Sequence, residues 1–281
     1  MEIRLCGESA VKACAQARPA ALREILADER AARSRLAPTL DFLRAKIAEA
    51  NFAQKIAIRT VPAAELAHFA GTHAHGGIAA LTERPEPAQI RPAMREEWFA
   101  AGERALFVFG VSEPVQLASV ARVAVACGVS RLIADERETV PALAHSRTWS
   151  RADGALEFLK IYRTESPAGA LRLMSARFFT VGFVREGGRR VDYAKIPVFP
   201  GKSVAFVLGG SENGVPAEIA AHCDYLLHIS ENAAAPIRLA PAEIAAHALP
   251  WIFSKKKRAG AGFRSRRKNA PAGTSADADF S

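Results

Sequence analysis

Cysteine is scarce in this chain, and the four that occur are widely separated. Cys6, Cys14, Cys127 and Cys223 form no CxxC pair, and no histidine stands at ligand spacing around them. This spacing argues against a structural zinc site and against a disulfide framework, and it fits a reducing compartment. We therefore expect a cytoplasmic protein without a metal site.

Long apolar runs, targeting signals and phosphate-binding motifs are also missing. No apolar stretch approaches the roughly 20 residues that cross a bilayer. The opening "MEIRLCGESAVKACAQ" lacks the basic start, apolar stretch and cleavage site of a signal peptide. We expect no membrane partner. The absence of GxGxxG and GxxxxGK disfavours an α/β enzyme built around a different nucleotide.

Positive charge is in excess and is concentrated at one end. The 281 residues carry 38 Lys and Arg against 29 Asp and Glu, a net charge of +9. Residues 254–281 hold eight basic and two acidic residues, including "KKKR" and "RSRRK". We expect this segment to be a disordered basic tail. It either adds nonspecific affinity for nucleic acid or only solubilises the chain.

Short apolar runs alternate with helical patterns in residues 1–83, which predicts a small α/β domain. The segments "EIRLCG", "KIAIRTV" and "GGIAALTE" are typical of strands, whereas Leu36, Leu40, Leu43 and Ile47 recur at helical spacing. The proline-rich residues 84–101 are expected to form an interdomain linker.

Residues 102–253 carry a longer series of apolar strands. Strands are predicted at 104–111, 130–135, 156–163, 178–184, 203–210 and 224–230. Helical patterns lie between several of them, notably at 114–128, and a closing helix is predicted at 241–253. Continuous apolar strands that alternate with helices indicate a largely parallel sheet covered on both faces.

The segment "SEPVQLASVARVAVACG" has a proline directly after a strand and an arginine eight residues later in the helix. It resembles the first motif of the SpoU (TrmH-like) branch of the SPOUT RNA methyltransferases, P-x-N-x-G-x-x-x-R. The matching positions are Pro114, Gln116, Ala118 and Arg122. Glutamine thus stands where the family has asparagine, and its amide is displaced by about one bond length.

The segment "FVLGGSENGVP" resembles the family's second motif, in which a strand runs into L-G-S-E-x-x-G. The family glutamate falls on Ser211, and Glu212 stands one place later. Either the loop is shifted by one residue or the acid has been lost. In the weaker third motif, Ile229 and Leu239 match, whereas Arg238 and Ala240 replace a serine and an asparagine.

The resemblance implies an N-terminal α/β RNA-binding domain followed by a SPOUT-type α/β domain with a C-terminal trefoil knot, which usually forms a homodimer. It implies S-adenosyl-L-methionine (SAM) as cofactor and transfer of its methyl group to ribose 2′-hydroxyls of rRNA or tRNA. The candidate cofactor-binding residues are Leu208, Gly209, Gly210, Ser211, Gly214, Ile229 and Leu239.

Arg122, Gln116 and Glu212 are the candidate catalytic residues. A guanidinium can grip an RNA phosphate in two places, but it is a poor general base because it stays charged. His73 and His75 form a loop or contact RNA, because two histidines without a third ligand rarely hold a metal. The changes at several motif positions leave an alternative, an RNA-binding protein that keeps the fold and has lost methyl transfer.

Overall fold

The computed structural model describes residues 1–50, 56–91, 103–175, 178–184, 189–190, 203–210, 214–228 and 239–254. Ser211, Glu212, Ile229, Arg238 and the predicted tail from residue 255 onward lie outside these ranges. The strands are β1 (Glu2–Cys6), β2 (Leu22–Asp28), β3 (Ala57–Val61), β4 (Ile78–Glu83), β5 (Ala88–Gln89), β6 (Arg104–Phe109), β7 (Arg131–Asp135), β8 (Lys160–Thr164), β9 (Phe178–Phe183), β10 (Arg189–Arg190), β11 (Ser203–Gly209) and β12 (Tyr225–His228).

Ten α-helices lie within the described ranges, together with two 3₁₀ helices at Pro19–Ala21 and Ala155–Phe158. The α-helices are α1 (Glu8–Ala17), α2 (Glu29–Ala32), α3 (Ala37–Glu49), α4 (Ala63–Ala70), α5 (Pro114–Ala126), α6 (Thr139–Ala144), α7 (Ser146–Arg151), α8 (Pro167–Met174), α9 (Ala217–Ala220) and α10 (Pro241–Ser254). None of the described helices is long and apolar enough to span a bilayer.

The first sheet has four strands in the order β1-β4-β2-β3. Strand β4 pairs antiparallel with β1 and β2, and β2 pairs parallel with β3. Apolar residues of α1 and α3 cover one face, and Leu66 and Ala70 of α4 pack on Leu26, Val61 and Ala79 of the other face. This arrangement buries both sides of a small sheet.

The second sheet has eight strands in the order β10-β12-β9-β11-β6-β7-β8-β5, and every described pair is parallel. Helices α5, α6, α7 and α10 pack on one face, and α8 and α9 pack on the other. Strand β6 is fully buried from Ala105 to Val108 because helices cover both of its faces. The predicted parallel sheet, covered on both sides, is confirmed.

Two predicted elements have different boundaries in the structure. The helical pattern before residue 52 begins as a helix only at Ala37, because Pro38 occupies its first turn and residues 33–36 form turns. The strand predicted at 156–163 was wrong in its first half. Gly154 adopts φ +85° there, and Ala155–Phe158 is a 3₁₀ helix that buries Leu156 before β8 begins at Lys160.

The junction between the two sheets is closely packed. Arg18 pairs with the buried carboxylate of Glu157 at 2.6 Å and lies over the Trp149 ring, 5.8 Å from its centroid. A Cβ on Gly154 would lie 2.4 Å from the Cβ of Ala13, so only glycine allows this contact. Strand β5, inside the predicted linker, pairs with β8 and therefore belongs to the second sheet.

Candidate functional site

An open cleft lies at the carboxyl ends of the central strands, which we call the carboxyl-edge cleft. Because these strands are parallel, the residues that follow β6, β7, β8 and β11 meet at one edge of the sheet, where open α/β sheets place their ligands. The cleft has a volume of about 690 Å³, within the range of small-molecule pockets. Its lining includes Phe109, Gly110, Ser112, Asp135, Arg137, Glu138, Glu165, Ser166, Gly210, Glu218 and His222.

Carboxylates dominate the charge of the carboxyl-edge cleft. Asp135, Glu138, Glu165 and Glu218 line it, and Arg137 is the basic side chain among its lining residues besides the histidine. Such a lining attracts cationic groups and repels phosphates.

Asp135 holds together two of the loops that form this cleft. Its carboxylate accepts hydrogen bonds from the Gly110 amide at 2.8 Å, the Thr139 hydroxyl at 2.6 Å, and the amides of Arg137 and Glu138 at 3.0 and 2.8 Å. Burial alone would raise the pKa of Asp135, but these hydrogen bonds outweigh it and hold the pKa below its ordinary value. The Asp135 carboxylate is therefore charged at neutral pH.

We expect Asp135→Asn to lower the free energy of unfolding by about 2 kcal/mol at neutral pH, because the amide offers an N–H to groups that need an acceptor. The folded-state pKa lies below the unfolded value of about 4, so the carboxylate stabilises the fold above that pH. Its contribution disappears as the pH falls below about 4 and through the folded-state pKa. Urea unfolding at several pH values measures this difference.

The exposed Asp41 on α3 provides the matched control for that measurement. It pairs with Arg44 at 2.9 Å, but both side chains are more than half exposed. Asp41→Asn should change stability by less than about 0.5 kcal/mol at any pH. Equal effects of the two substitutions would contradict the role of Asp135.

Glycines pack the end of β11 against its two neighbouring strands. A Cβ on Gly209 would lie 2.2 Å from the carbonyl oxygen of Gly214, and one on Gly210 would lie 1.8 Å from that of Gly110. Gly214 itself has φ +76°, and its Cβ would lie 2.6 Å from the Phe183 oxygen. The space beside these three glycines is therefore occupied by protein backbone.

Both ends of the glycine loop are fixed by backbone hydrogen bonds. The Gly210 amide donates to the Phe109 oxygen of β6 at 2.7 Å, and the Val215 amide donates to the Phe183 oxygen of β9 at 2.9 Å. The loop thus joins strands on both sides of β11. Its residues 211–213, which include the predicted Ser211 and Glu212, lie outside the described ranges.

Gln116 connects the first motif to the third. Glu113 caps α5 by accepting from the Gln116 amide at 2.7 Å, and the Gln116 side-chain oxygen accepts from the Ala242 amide of α10 at 3.3 Å. Leu239, just before α10, packs against the same core. The structure therefore brings Gln116 and Leu239 into one region. Leu208 is fully buried in β11, so its side chain belongs to the core.

Arg122 lies on the exposed surface of α5. It is eight residues from Pro114, which corresponds to about 12 Å along the helix axis from the carboxyl edge of the sheet. Within the described ranges, no carboxylate forms an ion pair with it. Its guanidinium is thus available to an external anion.

The cysteine thiols are protonated at neutral pH. Burial raises the pKa of Cys223, beside the carboxyl-edge cleft, to about 12, and the Asp224 carboxylate adds to the shift. Burial likewise raises the pKa values of Cys6, Cys14 and Cys127. None of these thiols is prepared to act as a nucleophile, because the thiolate is the reactive form.

Residues 103–236 match the SpoU rRNA Methylase family. These residues belong to the SpoU methylase family. A Staphylococcus aureus protein assigned to the TrmH family of tRNA/rRNA methyltransferases is 28% identical over 179 residues, covering 63% of this chain and 69% of that protein. A relative from Staphylococcus epidermidis is 25% identical over 207 residues, covering 73% and 79%.

Solved structures share the fold over most of this chain. The SpoU methyltransferase AviRb from Streptomyces viridochromogenes, in complex with AdoMet, superposes with a TM-score of 0.67 at 18% identity over 91% of both chains. An AdoMet-bound rRNA methyltransferase from Sinorhizobium meliloti gives 0.66 at 19% identity, over 91% of this chain and 87% of that one. The α/β architecture expected for a SpoU methyltransferase is confirmed.

Several residues of the SpoU-family site region were not singled out from the sequence. The loops after β7 and β8 contribute Asp135, Glu138 and Glu165, whereas the family motifs directed attention to the loops after β6 and β11. The sequence does contain a pattern that could have indicated Asp135, because the predicted strand "SRLIAD" has an aspartate as its last residue. In parallel sheets that position belongs to the ligand-binding edge.

Proposed function

We propose that this protein is a SAM-dependent RNA methyltransferase that modifies ribose 2′-hydroxyl groups of rRNA or tRNA. The observation that carries the proposal is the family match over residues 103–236, which includes the glycine-packed loop at the carboxyl edge of the sheet. Residues 1–83 would select the RNA, and the second sheet would hold the cofactor. We further propose a cytoplasmic homodimer with the family's trefoil knot.

The carboxyl edge of the sheet fits SAM as a ligand. The open volume of about 690 Å³ is sufficient for a nucleoside-sized molecule, and its carboxylates suit a ligand that carries a sulfonium cation. The predicted cofactor contacts are Leu208, Gly209, Gly210, Ser211, Gly214, Ile229 and Leu239. Among those that the structure describes, Gly210 lines this cleft, whereas Leu239 packs with α5 and α10 on one face of the sheet. When bound, SAM supplies the methyl group that is transferred.

The chain's own residues would orient the RNA. Arg122 would hold an RNA phosphate with two parallel hydrogen bonds, which places the adjacent ribose hydroxyl. Gln116 would fix α5 against α10 by accepting a hydrogen bond from the Ala242 amide at 3.3 Å. Glu212 is the proposed active-site carboxylate, and it lies outside the described residues.

The protonated thiols disfavour a pyrimidine carbon as the target. Methylation of a pyrimidine carbon requires a nucleophile that first adds to the ring, and a thiolate is the side chain best suited to that step. Burial raises the pKa of the Cys223 thiol to about 12. A hydroxyl group, by contrast, can be methylated directly.

A second candidate function is an RNA-binding protein that has lost methyl transfer. It is favoured by the structural roles of three predicted site residues: Gln116 links two helices, and Gly209 and Gly210 pack against backbone. The fold would require each of these three residues even if the protein bound no cofactor.

Calorimetric titration of the cofactor-free full-length protein with SAM separates the two functions. If the protein is a methyltransferase, SAM should bind saturably at one site per chain. S-adenosylhomocysteine, which lacks the sulfonium charge, should bind more weakly. Titrations at several temperatures are needed, because the binding enthalpy varies with temperature and can pass through zero. No heat at any temperature would favour the RNA-binding protein.

A further inference from the structure

A second cleft lies at the junction of the two sheets, which we call the junction cleft. It has a volume of about 370 Å³ and opens between β1, the loop that follows α4, and α7. Its charged lining residues are Arg4, Arg147 and Arg151, accompanied by His145, and no carboxylate is among its lining residues. Its charge is therefore opposite to that of the carboxyl-edge cleft.

The three arginines of the junction cleft are available for an external partner. Their side chains are exposed, and none of them forms an ion pair within the described part of the chain. Elsewhere in the first sheet, arginines have acidic partners: Arg23 pairs with Glu83, and Arg59 pairs with Glu24 and Glu65.

The arrangement of the arginines is unfavourable without an anion. Arg147 and Arg151 are four residues apart on α7 and therefore lie on the same face, with Cβ atoms about 5–6 Å apart. Like charges at this spacing destabilise a helix by about 0.2–0.5 kcal/mol. A phosphate between them would remove the repulsion and match the planar geometry of the guanidinium groups.

Hydrogen bonds link the two walls of the junction cleft, β1 and α7. The Ser150 hydroxyl of α7 donates to the Arg4 carbonyl oxygen at 3.2 Å and accepts from the Cys6 amide at 3.1 Å. The ion pair of Arg18 with Glu157 joins the same two parts of the chain. The arginines from β1 and α7 thus face one ligand without a conformational change.

We propose that the junction cleft binds backbone phosphates of the RNA, so that one RNA contacts both sheets of the protein at once. The inference rests on the proposed function for its ligand class, since an RNA substrate supplies the polyanion. It adds a specific phosphate-binding site, formed by Arg4, Arg147 and Arg151, at some distance from the chemistry. The loop after α4, which carries Thr72 and His73, adjoins the junction cleft.

The salt dependence of RNA binding tests the proposal. We would compare the full-length protein with the double variant Arg147→Gln/Arg151→Gln, using a fluorescein-labelled single-stranded RNA of 20 nucleotides and fluorescence anisotropy between 50 and 300 mM salt. Each lost phosphate contact should reduce the log–log salt slope by about 0.7 and the affinity at 0.1 M salt by about 5-fold. The double variant should therefore lose about 1.4 in slope and about 25-fold in affinity.

A charge-matched control separates local contact from net charge. Arg44→Gln/Arg172→Gln removes the same two charges from exposed positions on α3 and α8 that line neither cleft. Its slope should change by less than about 0.3, because no phosphate contact is lost. Arg4→Gln is an independent single variant with an expected loss of about 0.7 in slope. Thermal unfolding confirms that each variant is folded.

The outcomes decide the proposal independently of the methyltransferase assignment. Equal slopes for the cleft variant and its control would overturn it. The proposal would also be overturned if the cleft variant lost binding to labelled poly-glutamate but bound RNA as the unaltered protein does. That result would indicate an acidic protein as the partner. Titration of the cleft variant with SAM should match the unaltered protein. If the unaltered protein binds no SAM but the cleft variant shows the reduced salt slope, the phosphate-binding site is supported and the proposed methyltransferase function is not.

Discussion

Replacing Gly210 with alanine is expected to destabilise the protein by about 3 kcal/mol or more and to abolish SAM binding. The added Cβ would lie 1.8 Å from the Gly110 oxygen and 2.6 Å from the Val111 amide nitrogen. Both atoms are backbone, so no side-chain rotation relieves the clash. Either the loop after β6 or the loop after β11 must move, and both contribute to the carboxyl-edge cleft. Urea unfolding measures the stability and calorimetry the binding.

Gly169→Ala is the control for adding one methyl group near the same cleft. Its Cβ would lie 2.9 Å from the Ser166 hydroxyl, which caps α8 by accepting from the Gly169 amide at 3.2 Å. Rotation of this side chain relieves the contact, and loss of the cap costs about 1 kcal/mol. Alanine, however, favours the helix by up to about 1 kcal/mol relative to glycine. We expect a stability change within about 1 kcal/mol and unchanged SAM binding. A Gly210→Ala protein as stable as this control would show that the two loops do not pack as described.

The strands of the second sheet could be predicted because burial on both faces leaves a simple signal. The segments that became β6, β7, β9 and β11 are nearly continuous apolar runs. Strand β2 was not recognised, because Arg23 and Glu24 interrupt its apolar residues. These two residues pair with Glu83 and Arg59 of neighbouring strands. That pairing depends on contacts between distant segments, which local patterns do not contain.

The glycine loop shows the same limit at the candidate site. The sequence indicated that Gly209 and Gly210 need space beside their backbone, as glycines at the end of a strand commonly do. It could not indicate what fills that space. The structure places Gly110 and Gly214 there, and these are about 100 and five residues away along the chain. The predicted contact of Gly209 and Gly210 with SAM therefore remains a prediction.

Replacing Arg122 with alanine is expected to reduce methyl transfer by about 100-fold or more, while most of the RNA affinity is retained. The side chain is exposed and has no ion-pair partner among the described residues, so its removal should alter stability by less than about 0.5 kcal/mol. A loss of activity would then reflect the chemistry rather than the fold. Incorporation of labelled methyl groups from SAM into unmodified rRNA and tRNA transcripts measures it.

Arg122→Lys distinguishes the positioning of a phosphate from simple attraction. Lysine keeps the charge but cannot form two parallel hydrogen bonds, so the variant should bind RNA normally and transfer methyl groups at an intermediate rate. The exposed Arg172 on α8, changed to alanine, should behave as the unaltered protein. Normal methylation by Arg122→Ala would remove Arg122 from the catalytic assignment. If the unaltered protein methylates none of the transcripts, the RNA-binding function gains support, because its Gln116 and glycine contacts serve the fold alone.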